Sequence, residues 1–137
     1  MNYYELRQKH RKEVNELPLG FAYSDKQFDE MMEKFGLEKD NLQAICTIGS
    51  GCYIKKSDYD WVMNTFKRHK QEHQQEIDND KTGNGYIYQM FRDELANHEY
   101  CITYSLDETL DALDLTMEEI EKHKNLKHGL QKALKRY

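Results

Sequence analysis

One proline and seven glycines in 137 residues leave too little material for a collagen-like or Gly/Pro-rich chain. Three cysteines are an odd, sparse set, which argues against a disulfide scaffold and for a reducing cytoplasm. No apolar run approaches the ~18 residues of a membrane-spanning helix, so no membrane association is expected. The opening MNYYELRQKHRKEV lacks the apolar core of a signal peptide. Signatures of nucleophilic catalysis are missing as well: there is no GxSxG, no SxxK and no papain-like cysteine context. The segment Gly49-Ser50-Gly51 has neither the GxxxxGK[ST] spacing nor the following lysine of a phosphate loop. No catalytic residue is assigned, and the chain is not expected to be an enzyme.

What is present points to one small domain covering 1–137. Hydrophobic residues make up 38% and charged residues 33% of the chain. The mean hydropathy of -1.01 would suit a disordered chain, but the 16 aromatic residues supply a core. Charge is segregated. Residues 93–121 hold ten acids and no lysine or arginine, whereas residues 122–137 hold six basic side chains and no acid. With a net charge of -5 the balance disfavours binding of free nucleic acid, whose phosphates demand a basic footprint. The acidic block suits a basic protein surface instead, and Asp107, Asp111, Asp114 and Glu118 are the candidate partner-binding residues.

Four hydroxyl-bearing residues stand three positions before an acid or amide: Ser24, Ser57, Ser105 and Thr116. Each is a candidate helix cap. Helices are expected over about 2–15, 25–35, 58–79, 86–99, 106–113, 117–123 and 126–135. Segments 44–48 and 52–56 read as a hairpin around the glycine-rich turn, 19–23 as a short strand, and Tyr100–Tyr104 as a fourth strand. The fold class that follows is α+β, a helix-dominated domain with a small antiparallel sheet. The NDKTGNG segment at 79–85 reads as a helix–helix connection.

On the long helix, Val62, Phe66, His69, His73 and Ile77 are spaced by four, three, four and four residues and share one face. On the next helix Ile87, Phe91, Glu94 and His98 do the same. Folding these helices antiparallel about residue 82 would place Glu94 between the levels of the two histidines. His69, His73, Glu94 and His98 then form a candidate set for a structural Zn²⁺, with Cys101 as a substitute ligand. Four protein ligands leave no open water position, which favours a structural ion over a catalytic one. The alternative is ordinary hydrogen-bonded or exposed histidines.

Cys46 and Cys52 bracket the hairpin turn, as a redox pair or as small buried hydrophobes. Tyr53, Tyr86, Tyr88, Tyr100 and Tyr104 suit packed rings with wet hydroxyls or, alternatively, a recognition patch. The tail has the rhythm of several short helices, as in a helix-turn-helix. Its first two helices are acidic, however, which is wrong for a groove-reading element.

The opening MNYYELRQKHRKEVNELPLGFAYSDKQF and the segment DKTGNGYIYQMFRDELANHEYCITYSLDETLDALDLT resemble a family of small proteins of bacteriophages and mobile elements of Gram-positive bacteria. Chains of this size and source include inhibitors of host defence, among them anti-CRISPR proteins acting on Cas9. The resemblance implies an accessory protein in the cytoplasm of a bacterial host cell that binds a nucleoprotein nuclease such as Cas9 stoichiometrically. It transfers no site residue. The alternative function is a small metal-dependent hydrolase using the His/Glu site.

Overall fold

The computed structural model describes all residues, Met1–Tyr137. Eight helices dominate: α1 (Tyr3–Asn15), α2 (Asp25–Lys34), α3 (Tyr59–Asn79), α4 (Tyr86–Asn97), α5 (Tyr100–Thr103), α6 (Asp107–Ala112), α7 (Met117–Lys122) and α8 (Lys124–Leu134). Three strands accompany them: β1 (Gly20–Phe21), β2 (Ile45–Gly49) and β3 (Cys52–Lys55). This is the helix-dominated α+β class. No helix is long and apolar enough to cross a membrane. The chain divides into two compact units, Lys12–Lys70 and the pair of segments Met1–Arg11 and Gln71–Tyr137.

The unit Lys12–Lys70 is built on the sheet. Its order is β1-β3-β2, antiparallel throughout, with Gly20 opposite Tyr53 and Cys46 opposite Ile54. Alternation along the strands sends side chains to opposite faces. Ile45 and Tyr53 join Phe28, Met31 and Met32 of α2, and Phe35 just after it, in one cluster. Cys46, Ile48 and Ile54 join Leu17, Val62 and Phe66 in another. The hairpin turns at Gly51, whose φ of 72° is left-handed, and the Tyr23 ring occupies the space where a Cβ would stand. Cys46 and Cys52 do not face each other, because Cys52 pairs with Gly49 across a register shift. Both thiols are free and half-buried, and burial pushes the Cys52 thiol up.

In the other unit α4 is the central element. Its fully buried Ile87, Met90, Phe91 and Leu95 meet Leu126, Leu130 and Ala133 of α8, with Leu110, Leu113 and Ile120 completing the cluster. The chief partner of α4 is therefore α8 and not α3, a correction to the pairing suggested by the short 79–85 loop. The reason is steric. A Cβ on Gly129 would lie 2.5 Å from Ile87 Cγ2, and one on Gly83 would lie 2.1 Å from the Asn125 carbonyl oxygen. Two glycines thus let α8 lie against the loop backbone, and Asn125 Nδ2 donates to the Asp80 carbonyl at 3.1 Å.

Two caps form as expected. Ser24 Oγ accepts from Gln27 N and Thr116 Oγ1 from Glu119 N, both at 3.2 Å. Ser57 instead lies inside a 3-10 turn, Lys56–Asp58, and Ser105 Oγ accepts from Asp107 N one residue earlier than planned. Tyr100–Tyr104 is not a strand. Residues Tyr100–Thr103 form a single helical turn between left-handed Glu99 and Tyr104. β-Propensity stabilises a strand only where a neighbour accepts its ladder. Here the backbone closes on itself, and the Tyr100 ring packs edge-on against Tyr104 and Tyr137.

Phe91 is fully buried at the centre of the α4–α8 cluster. Phe91→Ala is expected to cost about 3–5 kcal/mol, and Gly129→Ala about 1–3 kcal/mol through overpacking. Urea denaturation measures both, and an unchanged midpoint for either variant would reject this packing.

Candidate functional site

The polar centre of the unit containing α4 is Glu94. Helical spacing puts it on the same face as Phe91 and Leu95, so its carboxylate is buried with them. A buried carboxylate needs donors, and α1 supplies two. The Tyr3 hydroxyl donates to Glu94 Oε1 at 2.6 Å, and Arg7 Nη1 donates to the same oxygen at 2.6 Å. His98 Nε2 lies 3.4 Å from Oε2, one helical turn on, while His98 Nδ1 lies 3.7 Å from Glu108. The Thr109 hydroxyl, itself fully buried, donates to the Glu94 carbonyl at 3.4 Å and fastens α6 to α4. No buried side-chain polar atom is left without a partner.

Two tyrosines and a histidine extend this centre. Burial and the Glu94 carboxylate both push the Tyr3 hydroxyl far above its ordinary range, so it remains a donor. Burial also raises Tyr86, whose hydroxyl is hydrogen-bonded to Nδ1 of His73. Tyr3 stands edge-on to both rings, at 5.5 Å from Tyr86 and 6.1 Å from His73. Burial, helped by the nearby His10, lowers His73 against the opposing pull of Glu94.

The four residues read as zinc ligands are thus distributed over separate pairings. His69 is buried on α3, 3.4 Å from Glu13, and Glu13 also takes the Arg68 guanidinium. Those hydrogen bonds, Arg68 first, hold the Glu13 carboxyl below its usual range. His73 is bound to Tyr86, and only Glu94 and His98 come together. Cys101 is exposed. No group of three or more His, Cys, Asp or Glu side chains is arranged to hold a metal ion.

A further pattern escapes a reading of 79–85 as mere connection. Asp80, Thr82 and Asn84 carry oxygens at positions one, three and five of a loop between two helices, and Gly85 stands at position six. This matches the first half of a helix–loop–helix calcium loop. The second half departs from it, because position twelve, which should carry a bidentate carboxylate, is the buried Phe91. Asp80 Oδ1 accepts from Gly83 N at 3.0 Å, and Oδ2 accepts from Gly85 N at 3.1 Å and Ile87 N at 3.0 Å. Asn84 Oδ1 accepts from His128 Nε2 at 2.7 Å and from Lys132 Nζ at 3.4 Å. A lysine among the donors and an apolar twelfth position do not fit a calcium ion; here the Asp80 carboxylate caps α4 by accepting from backbone N–H groups at its start.

The candidate partner-binding acids all reach solvent. Asp107, Asp111, Asp114 and Glu118 are exposed on or beside α6 and α7. Glu118 pairs with Lys122 at 3.1 Å and Glu121 with Lys127 at 2.9 Å, so part of the acidic block is answered by the basic tail. Near the acids along the chain are exposed apolar side chains: Ile102 at 71%, Tyr104 at 69% and Met117 at 42% exposure.

Together these features define a helix-dominated α+β protein with a buried carboxylate centre and a separate exposed acidic face. The chain belongs to a family of unknown function, DUF7659, whose description matches residues 2–136. No curated protein and no solved structure matches it.

Glu94→Gln keeps the shape and an acceptor for Tyr3 but leaves Arg7 without its carboxylate. It is expected to cost about 1–3 kcal/mol of unfolding free energy, as for other hydrogen bonds to charged groups. Equal stability of parent and variant would show that the centre does not hold α1 in place.

The His73 shift carries its own test. Its folded pKa lies below the unfolded value of about 6.5, so below that pH the unfolded chain binds more protons. Stability conferred by neutral His73 is complete above about pH 6.5 and falls on acidification. His73→Gln is expected to flatten thermal stability between about pH 7 and pH 5.5. A variant with the parent's pH profile would assign that dependence to other groups.

Proposed function

We propose that this protein acts by stoichiometric docking on a basic protein surface through the exposed acids of α6 and α7, and not by turnover. The observation that carries this reading is the coincidence of two features on one stretch of chain. Asp107, Glu108, Asp111, Asp114, Glu118 and Glu119 are exposed with no lysine or arginine among them, and Ile102, Tyr104 and Met117 expose apolar surface beside them. Apolar side chains supply burial at an interface, while surrounding charge steers encounter and rejects partners of the wrong sign. The same charge repels free nucleic acid. The sequence resemblance to phage and mobile-element proteins makes the partner a defence nuclease such as Cas9, in the cytoplasm of the bacterial host, whose nucleic-acid-binding surface is basic.

The test is size-exclusion and inhibition assays with the Cas9–guide ribonucleoprotein. A one-to-one complex and loss of DNA cleavage are expected. Reversing Asp107, Asp111, Asp114 and Glu118 to lysine should weaken association at least about tenfold at low salt, less at high salt, mainly through slower encounter. A folded quadruple variant that inhibits like the parent rejects the acidic face. Absence of any complex with the parent rejects the partner class. Metal-dependent hydrolysis of a phosphoester or peptide by the purified protein would establish the competing enzymatic reading.

A further inference from the structure

Four of the chain's five arginines line two adjoining open grooves in the unit that contains α4. In an acidic protein this concentration runs against the overall charge. The first groove, of about 330 Å³, has Tyr4, Arg7 and Arg11 on one wall and Asn97 on the other. The second, of about 490 Å³, is lined by Arg92, Arg136 and Tyr137. Asp93 and Ala96 belong to both, so the two adjoin.

Helical spacing builds the site. Tyr4, Arg7 and Arg11 are three and four residues apart and share a face of α1 distinct from the buried stripe of Tyr3 and Leu6. On α4 the short Ala96 leaves the floor open where a longer side chain would fill it. The arginines are differently committed. Arg7 is anchored from below by Glu94, which takes Nη1 and leaves other N–H groups of the fork for the groove. Its side chain is 40% exposed against 7% for Glu94, so the pair presents the guanidinium outward. Arg92 Nε lies 3.2 Å from Asp93, the one acidic side chain lining the grooves, and its guanidinium stacks over Tyr88. Arg11 and Arg136 are exposed and have no carboxylate partner.

Arginine forks with unsatisfied donors recognise phosphoryl oxygens, and exposed tyrosine rings beside them supply a stacking surface for a planar base. Tyr4 and Tyr137 are 63% and 46% exposed at the two ends of the site. The volumes fit a ligand of a few tens of atoms. A long polyanion is opposed by the net charge of -5, whereas a small anion senses mainly the charges within a Debye length of about 10 Å. We propose that the two grooves form a binding site for a nucleoside phosphate, with Arg7, Arg11, Arg92 and Arg136 supplying the donors for the phosphate and Tyr4 or Tyr137 offering the ring on which the base stacks. Glu94 is a positioning residue in this site, fixing the Arg7 fork without touching the ligand.

The test is a ¹H–¹⁵N titration of the full chain with four probes: AMP, adenosine, inorganic phosphate and a single-stranded oligodeoxythymidylate. AMP is expected to saturate at millimolar concentration or below, with shifts confined to residues 4–11, 92–97 and 136–137. It should bind at least about tenfold more tightly than adenosine or phosphate alone, because both parts of the ligand are recognised. Arg11→Glu combined with Arg136→Glu should weaken AMP at least about tenfold, Arg136→Ala alone should act in the same direction, and Lys39→Glu should change nothing. Three results would overturn the proposal. They are no shifts with AMP, equal affinity for phosphate and AMP, or tighter binding of the oligonucleotide, which would make the grooves a nucleic-acid surface. None of these outcomes depends on whether the acidic face binds a nuclease.

Discussion

A single buried carboxylate organises the unit around α4. Of the ten acids between residues 93 and 121, Glu94 alone is buried. Burying a carboxylate without donors would cost several kcal/mol, so its presence requires partners brought from elsewhere in the chain. Those partners are the Tyr3 hydroxyl and the Arg7 guanidinium, 91 and 87 residues away in sequence. Through them the first helix is held against α4, and through its own backbone carbonyl Glu94 also holds Thr109 of α6. The apolar cluster of Phe91, Leu95 and Leu130 supplies most of the driving force, but it is non-directional. The hydrogen bonds to Glu94 select which face of α1 turns inward, and hence which face keeps Arg11 at the surface.

The surface carries two regions of opposite charge. Acids on α6 and α7 are exposed beside apolar side chains, which suits a protein partner. Arginines on α1, α4 and the end of α8 gather around small grooves, which suits a small anion. The net charge of -5 averages over the two and describes neither.

Much of the architecture was legible along the chain. Helical periodicity located α1, α2, α3 and α4 to within a residue or two, since each has one apolar stripe and a terminus marked by a cap, a glycine or a proline. The glycine-rich turn marked the hairpin between β2 and β3. The partner of α4 was not legible. A short loop suggested α3, but Gly83 and Gly129 admit α8 against the loop backbone, and contacts between backbones leave no periodic signal. Tyr100–Tyr104 looked like a strand by composition, but Tyr100–Thr103 became a helical turn because no neighbouring strand accepts it.

The histidines illustrate the division best. Spacing set His69 and His73 one turn apart on α3, and His98, the residue that ends α4, one turn after Glu94, because helical geometry is local. Which groups those side chains would meet depended on chain segments far from either helix. Glu13 engages His69, Tyr86 engages His73, and Tyr3 with Arg7 engages Glu94. The sequence by itself determined the fold class, the helix faces and the segregation of charge, since each follows from local spacing or simple counting. Only the tertiary structure decided which acid is buried, which arginines converge and which polar groups pair, because burial is a property of what the rest of the chain packs against.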